Sequence, residues 1–281
     1  MIRFSAAILL ACSLTLCAQG KKTIFVITDA EGVAGICRQE QTDNKDPELR
    51  QLLAGEVNAA VQGFYDGGAD EVIVWDGHGG SSTLSVSTIH PRAKLVIGYI
   101  GARYTFDRHY TALAFVGQHS RANTRKGIMS HSYNSLGIQN MRLNGKPIGE
   151  IEAATALAGV YDIPVILLTG DNAAVEEMRA IVPDVETAAV KEGLQRYACI
   201  SLSAEAARST IREAARRSMS KIGQIHPYKI TGPVTLEIEH TTRNSLGTDA
   251  ALTPGTKVID DRTIQYSGKD FLEAWLRYRF R

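Results

Sequence analysis

Residues 23–32 read TIFVITDAEG, a short apolar run rich in β-branched residues that leads into two acidic residues. Such a run is typical of a buried strand in a parallel sheet. Working outward, three further runs have the same character: Glu71–Trp75, Ala112–Val116 and Pro164–Leu168. Segments with helical spacing of apolar residues lie between or after these runs, at Pro47–Tyr65, Ile148–Val160 and from about Asn172 to Ala180. This alternation predicts an α/β fold with a mostly parallel central sheet flanked by helices.

The pattern changes after about residue 190. A long helix is predicted over Ser203–Lys221, followed by strands over Val234–Glu239 and Thr263–Tyr266 and a closing helix over Phe271–Phe280. We therefore expect an α/β domain over residues 21–190 and a second, smaller α+β domain over residues 191–281. Residues 85–135 have a less regular hydrophobic periodicity, and their assignment to either domain is left open.

The first 20 residues have the pattern of a secretory signal peptide. Arg3 supplies the positive charge, Ile8–Ala18 the apolar core, and Ala18 and Gly20 the small residues of a cleavage site. The alternatives are an N-terminal membrane anchor, for which the apolar run is short, and a lipoprotein anchored at Cys12. We expect residues 1–20 to be removed and the mature protein to be periplasmic or secreted.

The charge balance excludes some partners. The chain has 31 basic and 30 acidic residues, so loss of Arg3 with the leader leaves a neutral mature protein. Nucleic acids and anionic membranes both select basic surfaces, which argues against either as a partner. Cys37 and Cys199 remain in the mature chain without metal-binding spacing, and the sequence leaves open whether they form a disulfide.

Acidic and imidazole side chains follow the carboxyl ends of the predicted strands. In strand order they are Asp29 and Glu31, Asp76 and His78, His119, and Asp171. Ligands of open α/β sheets bind at this edge. Because histidines together with carboxylates are the ligands of zinc or a similar divalent ion, the sequence predicts a metal site there.

Two further candidates lie outside the strand ends. His131 is part of the segment MSHS in a loop rich in serine, asparagine and glycine. Glu150 follows Gly149 at the start of a predicted helix, where an acidic residue ordinarily complements the helix dipole. The residues alone do not assign chemistry to either position.

Five motifs occur in a fixed order: TDAEGVAG at 28–35, DGHGG at 76–80, GQHS at 117–120, MSHS at 129–132 and NGKPIGEIEAA at 144–154. In this combination the chain resembles the zinc-dependent D-aminopeptidase family first associated with a dipeptide-transport operon, over about residues 22–280. The resemblance implies two zinc ions per chain, both bound by Asp29. It implies that Glu31 and His78 complete one site, and that His119 and Glu150 complete the other. His131 is then the catalytic residue, acting on a proton or steadying an oxyanion.

The resemblance also implies a substrate and an assembly. Members of the family cleave short peptides with an N-terminal D-residue, typically D-alanine, and form large ring-like homo-oligomers. Export would set this chain apart from cytoplasmic members and would favour peptidoglycan-derived D-alanyl peptides as substrates. Two alternatives stay open: a two-metal amidase or phosphoesterase, with Arg103, Arg121 and Arg125 as candidate phosphate ligands, and a periplasmic peptide-binding protein.

Overall fold

The computed structural model describes residues 20–243 and 253–279 of the chain. Residues 1–19 of the expected signal peptide lie outside the described residues, as does Phe280 at the end of the expected closing helix. Among the helices of the described part, none combines the length and the apolar character that a bilayer span requires.

Twelve strands and five α-helices make up the described fold. The strands are β1 (Thr23–Thr28), β2 (Glu71–Asp76), β3 (Lys94–Val96), β4 (Ala112–Gln118), β5 (Ile138–Leu143), β6 (Lys146–Pro147), β7 (Val165–Asp171), β8 (Glu186–Gln195), β9 (Ala198–Ser201), β10 (Val234–His240), β11 (Thr256–Val258) and β12 (Thr263–Gly268). The helices are α1 (Pro47–Asp66), α2 (Glu150–Val160), α3 (Asn172–Ile181), α4 (Ala204–Ser218) and α5 (Phe271–Arg279).

The larger sheet has seven strands in the order β3-β2-β1-β4-β7-β8-β9. All neighbours pair in parallel except β8 and β9, which confirms the predicted mostly parallel sheet. The central registers align Thr28 with both Asp76 and Val116, so the first three predicted strands end at the same level. The polar residues that follow these strands are thereby brought to one edge.

The helices α1 and α4 pack against each other and contact the larger sheet. Their backbones approach closely at Gly63, where a Cβ would lie 2.2 Å from the carbonyl oxygen of Arg212. Glycine is required there because any side chain would force the two helices apart. Asp46 caps the start of α1 by accepting a hydrogen bond from the Leu49 N–H (2.9 Å).

The smaller sheet is antiparallel, in the order β11-β12-β10-β5-β6, and α5 packs against β12 and β10. Its strands come from both sides of residue 190, a position within β8. The division into residues 21–190 and 191–281, and the assignment of residues 85–135, stay predictions about folding units.

Several element boundaries near the site differ from the sequence expectation, and two of them position candidate ligands. The helix expected from Ile148 begins at Glu150, because the Ile148 N–H bonds the Met141 carbonyl (2.9 Å) and Gly149 is the N-cap. The strand expected to end at Val116 continues to Gln118. These shifts place Glu150 in the first helical turn and His119 directly after a strand.

Candidate metal centre

The segment after β1 lies against the end of β4. The Asp29 N–H donates to the Val116 carbonyl (2.9 Å) and the Gly32 N–H to the Gly117 carbonyl (2.8 Å). A Cβ at Gly32 would lie 2.1 Å from the Gln118 carbonyl oxygen, so only glycine permits this approach. The glycine of the motif thus fixes the position of the two acidic residues that precede it.

Asp29 lies between two histidines. His78 Nδ1 is 3.0 Å from Asp29 Oδ1 and 3.2 Å from Glu31 Oε2. On the other side, His119 Nε2 is 3.4 Å from Asp29 Oδ2 and 3.4 Å from Glu150 Oε1. The two oxygens of Asp29 therefore face different histidines, and each histidine is accompanied by a second carboxylate.

His131 completes the cluster. Its ring stacks on that of His119, with centroids 4.0 Å apart and an interplanar angle of 15°. Its Nε2 lies 3.7 Å from Glu150 Oε1. The structure thus brings together all six residues that the sequence singled out: Asp29, Glu31, His78, His119, His131 and Glu150.

Backbone carbonyls orient all three histidines. His78 Nε2 lies 2.7 Å from the Thr42 carbonyl oxygen. His119 Nδ1 lies 2.8 Å from the carbonyl oxygen of Ser120, and His131 Nδ1 lies 2.8 Å from that of Met129. A carbonyl only accepts, so the hydrogen of each neutral imidazole is on this nitrogen. The other nitrogen then presents its lone pair to the carboxylates, as a metal ligand or a base requires.

The donor set fits zinc. His119 Nε2 and Glu31 Oε2 are buried and lack a hydrogen bond of good geometry within the described residues. Asp29 and Glu31 are only 6% and 3% exposed. Unsatisfied buried polar atoms are costly, and converging carboxylates repel one another. A divalent cation would bind the unsatisfied atoms and would offset the repulsion between the carboxylates. Imidazole nitrogens and carboxylate oxygens are common zinc ligands.

The pKa values of the cluster have a consistent electrostatic cause. Burial and the charge of Glu31 raise the pKa of Asp29 to about 7. Burial opposes protonation of His78, but its hydrogen bonds and charge interactions with Asp29 and Glu31 prevail and raise its pKa to about 12. The pKa of His119 rises well above its usual value because Glu150 and Asp29 outweigh the effect of burial. A bound cation would therefore displace protons from these imidazoles.

His131 differs from the other two histidines in the direction of its pKa shift. Burial, together with the neighbouring His119, lowers the pKa of His131. Its side chain is also 13% exposed, whereas that of His119 is 1% exposed. His131 is therefore the more solvent-accessible imidazole of the stacked pair and the one whose surroundings disfavour a positive charge.

Two cavities meet at the cluster. The outer cleft, of about 380 Å³, is lined by Glu31, His78 and His131 among others. The inner cavity, of about 200 Å³, is lined by aromatic residues, among them Trp75, Tyr104, Phe115 and Tyr133, and by polar residues. Both are lined by Asp29, Gly77, Tyr133 and Glu150. A molecule bound at the cluster is thus in contact with the outer cleft on one side and with a partly open cavity of mixed polarity on the other.

Two residues that the sequence did not assign hold the segment after β1. Lys191 of β8 is buried, and its ammonium donates to the carbonyls of Glu31, Val33 (2.9 Å) and Ile36. From α1, Glu56 accepts from the Ala34 N–H (2.8 Å). Burial lowers the pKa of Lys191. The one available sequence signal was a lysine that follows an apolar run, in TAAVK at 187–191.

The remaining strand-end aspartates have structural roles. Asp76 accepts from the Thr83 and Leu84 N–H groups (2.6 and 2.8 Å). Asp171 caps α3 at Ala174 and also accepts from Ile128 N–H (3.0 Å), in the segment that leads to His131.

The candidate phosphate ligands do not line either cavity. Arg103 donates to the Tyr161 hydroxyl (2.8 Å), Arg121 pairs with Glu177 (3.3 Å), and Arg125 is exposed. Cys37 and Cys199 are half-buried free thiols, and burial together with the hydrogen bond to Cys199 raises the pKa of Cys37 to about 11.

A family model described as D-aminopeptidase matches residues 23–279. The chain belongs to the D-aminopeptidase family. A D-aminopeptidase of Bacillus subtilis (strain 168) is 30% identical over 259 residues, which are 90% of this chain and 93% of the relative. The structure of the Zn-dependent D-aminopeptidase DppA from Bacillus subtilis, described as a self-compartmentalizing protease, has a TM-score of 0.84. The two chains are 29% identical, and the match covers 91% of this chain and 95% of the DppA chain.

Membership in the D-aminopeptidase family confirms the resemblance and the expected fold, and it identifies the chain as a metal-dependent hydrolase. This result favours a peptidase over the alternative of a peptide-binding protein. The zinc dependence of the structural neighbour agrees with the imidazole and carboxylate donors found here.

Proposed function

We propose that this chain is a binuclear zinc aminopeptidase that hydrolyses short peptides with an N-terminal D-residue such as D-alanine. One observation carries the proposal: the two oxygens of Asp29 face two separate histidines, each accompanied by its own carboxylate. Asp29, Glu31 and His78 would hold one zinc ion, and Asp29, His119 and Glu150 the other.

Bound zinc in such a site supplies a Lewis acid for the scissile carbonyl and lowers the pKa of water. Each ion would have three protein ligands, which leaves coordination positions open for water and substrate, as catalytic zinc sites require. The protein fixes these ligands through Lys191 and Glu56, which hold the segment after β1, and through the carbonyls that orient His78 and His119.

His131 is proposed as the residue that handles the proton. Its Nδ1 hydrogen is held by the Met129 carbonyl, which leaves Nε2 as the basic atom toward Glu150 and the cavities. Nε2 takes a proton as the nucleophile forms and delivers it to the leaving amine. In the alternative role, the protonated imidazole stabilises the oxyanion. Stacking on His119 limits rotation of the ring.

The proposed metal pair suits an aminopeptidase. The carboxylates of Asp29, Glu31 and Glu150 line the outer cleft, and in the loaded site they would be bound to zinc. Zinc held there would offer a coordination position to the free α-amine of the substrate in its neutral form, beside the scissile carbonyl. The preference for a D-residue is proposed from the names of the two relatives.

We also propose a ring-like homo-oligomer and export of the chain. The oligomer is supported by the self-compartmentalizing neighbour. Export is supported by the pattern of residues 1–20. Light scattering coupled to gel filtration tests the oligomer, and a monomer at micromolar concentration would contradict it.

The function is tested with purified protein stripped of metal by a chelator. D-alanyl-D-alanine and L-alanyl-L-alanine are assayed before and after zinc is restored, and bound metal is measured by elemental analysis. We expect activity on the D-peptide only, dependence on zinc, and two zinc ions per chain. Full activity of metal-free protein contradicts metal catalysis, equal rates contradict D-selectivity, and one ion per chain contradicts the binuclear site. A p-nitrophenyl phosphate assay checks the phosphoesterase alternative.

A further inference from the structure

The last turn of α5 places an arginine in the wall of the inner cavity. Arg279 lines this cavity together with Asp29 and Glu150, so it shares one space with two of the proposed zinc ligands. Arg279 belongs to the packed end of α5, where Trp275 is fully buried and its indole N–H donates to the Ala102 carbonyl (2.7 Å). The helix therefore holds the base of this side chain in a fixed position.

The guanidinium of Arg279 has aromatic neighbours but no acidic partner. It lies 5.5 Å from the ring centroids of Tyr133 and Trp275 and 5.9 Å from that of Tyr278. Within residues 20–243 and 253–279, no carboxylate oxygen lies within ion-pair distance of Arg279, whereas Arg277 two residues earlier pairs with Glu273 (2.8 Å). The aromatic faces and a hydrogen bond to the Tyr99 hydroxyl compensate this cation only in part. The side chain is thus available to an anionic ligand.

The inner cavity has room for one small residue. Its volume of about 200 Å³ corresponds to roughly six or seven water molecules at about 30 Å³ each. A C-terminal alanine has six non-hydrogen atoms, including both carboxylate oxygens. The aromatic side chains of the wall suit its methyl group, and Arg279 is the cationic group of that wall.

The proposed metal ligands and Arg279 together indicate the direction in which a peptide would bind. Zinc held at the cluster would take the free α-amine of the substrate, and the arginine favours the C-terminal carboxylate. A guanidinium also matches the two oxygens of a carboxylate in a bidentate contact. In a dipeptide, the scissile bond directly joins the residue with the free amine to the residue with the free carboxylate.

We propose that Arg279 binds the free C-terminal carboxylate of the substrate and so makes dipeptides the preferred substrate class. This inference rests on the proposed aminopeptidase function, and it adds a substrate-binding residue to it. Arg279 acts on binding and orientation, because the leaving residue must be held in the inner cavity while its amide bond lies at the cluster. It takes no part in proton transfer.

The test compares D-alanyl-D-alanine with its C-terminal amide, which differs only in the carboxylate. Wild-type protein is expected to prefer the free acid by roughly 10- to 100-fold in kcat/KM, the value of a hydrogen-bonded charge pair. Arg279→Gln should lose most of this preference, chiefly through KM, while kcat/KM on the amide changes less than about threefold. Arg279→Lys should restore part of the preference, because it returns a point charge without the fork.

The matched control is Arg277→Gln, which removes a cation from the same turn of α5, one that is already paired with Glu273. Bound zinc and circular dichroism are measured for every variant. The control should keep the preference of the wild type, and all variants should keep their zinc.

Equal losses on both substrates in Arg279→Gln would show a structural role and overturn the proposal, as would a wild-type enzyme without preference for the free acid. If the wild type hydrolyses neither peptide, the aminopeptidase function itself fails. Calorimetric titration of zinc-loaded wild type and Arg279→Gln with the same two peptides then decides the carboxylate site, and equal affinities of the wild type for acid and amide overturn it.

Discussion

Glu56 offers a test of the charge distribution around the segment after β1. The side chain is 2% exposed, one oxygen accepts from the Ala34 N–H (2.8 Å), and the other has no hydrogen-bond partner. Burial raises the pKa of Glu56 from 4.5 to about 7. We predict that Glu56→Gln is more stable than the wild type above pH 7 and about equally stable at pH 5.

The sign follows from proton binding. Between pH 4.5 and 7 the folded protein keeps the Glu56 proton and the unfolded chain releases it, so stability falls as the pH rises through this range. The effect is complete above the folded pKa. At about 1.4 kcal/mol per unit of pKa, the wild type loses roughly 3 kcal/mol of unfolding free energy. Glutamine keeps the acceptor for Ala34 and never ionises, so the variant avoids this loss.

Differential scanning calorimetry at pH 5 and pH 8.5, with zinc in both buffers, measures the difference. For a chain of this length, roughly 3 kcal/mol corresponds to about 5 °C in Tm. Glu48→Gln is the control, because Glu48 lies exposed in the first turn of the same helix. A gap between Glu56→Gln and the wild type that is the same at both pH values would refute the reasoning.

Three further predictions concern the metal centre and the N-terminus. Asp29→Ala should lose both zinc ions, whereas His78→Ala and His119→Ala should each retain more, and elemental analysis that finds two ions in Asp29→Ala would contradict the bridging role. His131→Ala should keep its zinc and lose roughly 10²–10⁴-fold in kcat with a small change in KM, as expected for a proton-transfer residue. Near-normal turnover would show that His131 only packs in its loop, and loss of one zinc would make it a ligand. N-terminal sequencing of exported protein should begin near Lys21, and an intact Met1 on cytoplasmic protein would exclude cleavage.

The strands of the larger sheet could be predicted where they are buried on both faces. TIFVIT at 23–28 coincides with β1, because a parallel strand between two others is continuously apolar. β8 was not predicted, because Lys191 and Glu192 interrupt its apolar run. β5 reads IQNMRL, which lacks a clean alternation, and its pairing with the distant β10 is a tertiary effect.

The candidate ligands could be named because strand ends and motifs mark them in the sequence. The groups that hold these ligands in position could not be predicted from the sequence. The carbonyl that orients His78 belongs to Thr42, 36 residues away, and a main-chain group has no residue type to indicate its role. Arg279 lies 129 residues after Glu150, and only the packing of α5 brings it to the inner cavity.

The three imidazoles are all held by main-chain oxygens, those of Thr42, Ser120 and Met129. No exchange of a single side chain deletes such a partner, since every amino acid carries a carbonyl. The ring orientations should therefore tolerate substitution of the residues that supply these carbonyls, and alanine at each of these positions should have little effect. Evolution or design can alter the angle of these rings by shifting the chain path, through insertions, deletions or changes at prolines and glycines. The paths of the loops thus determine the orientation of the three imidazoles, and we expect relatives with the same loop lengths to share it.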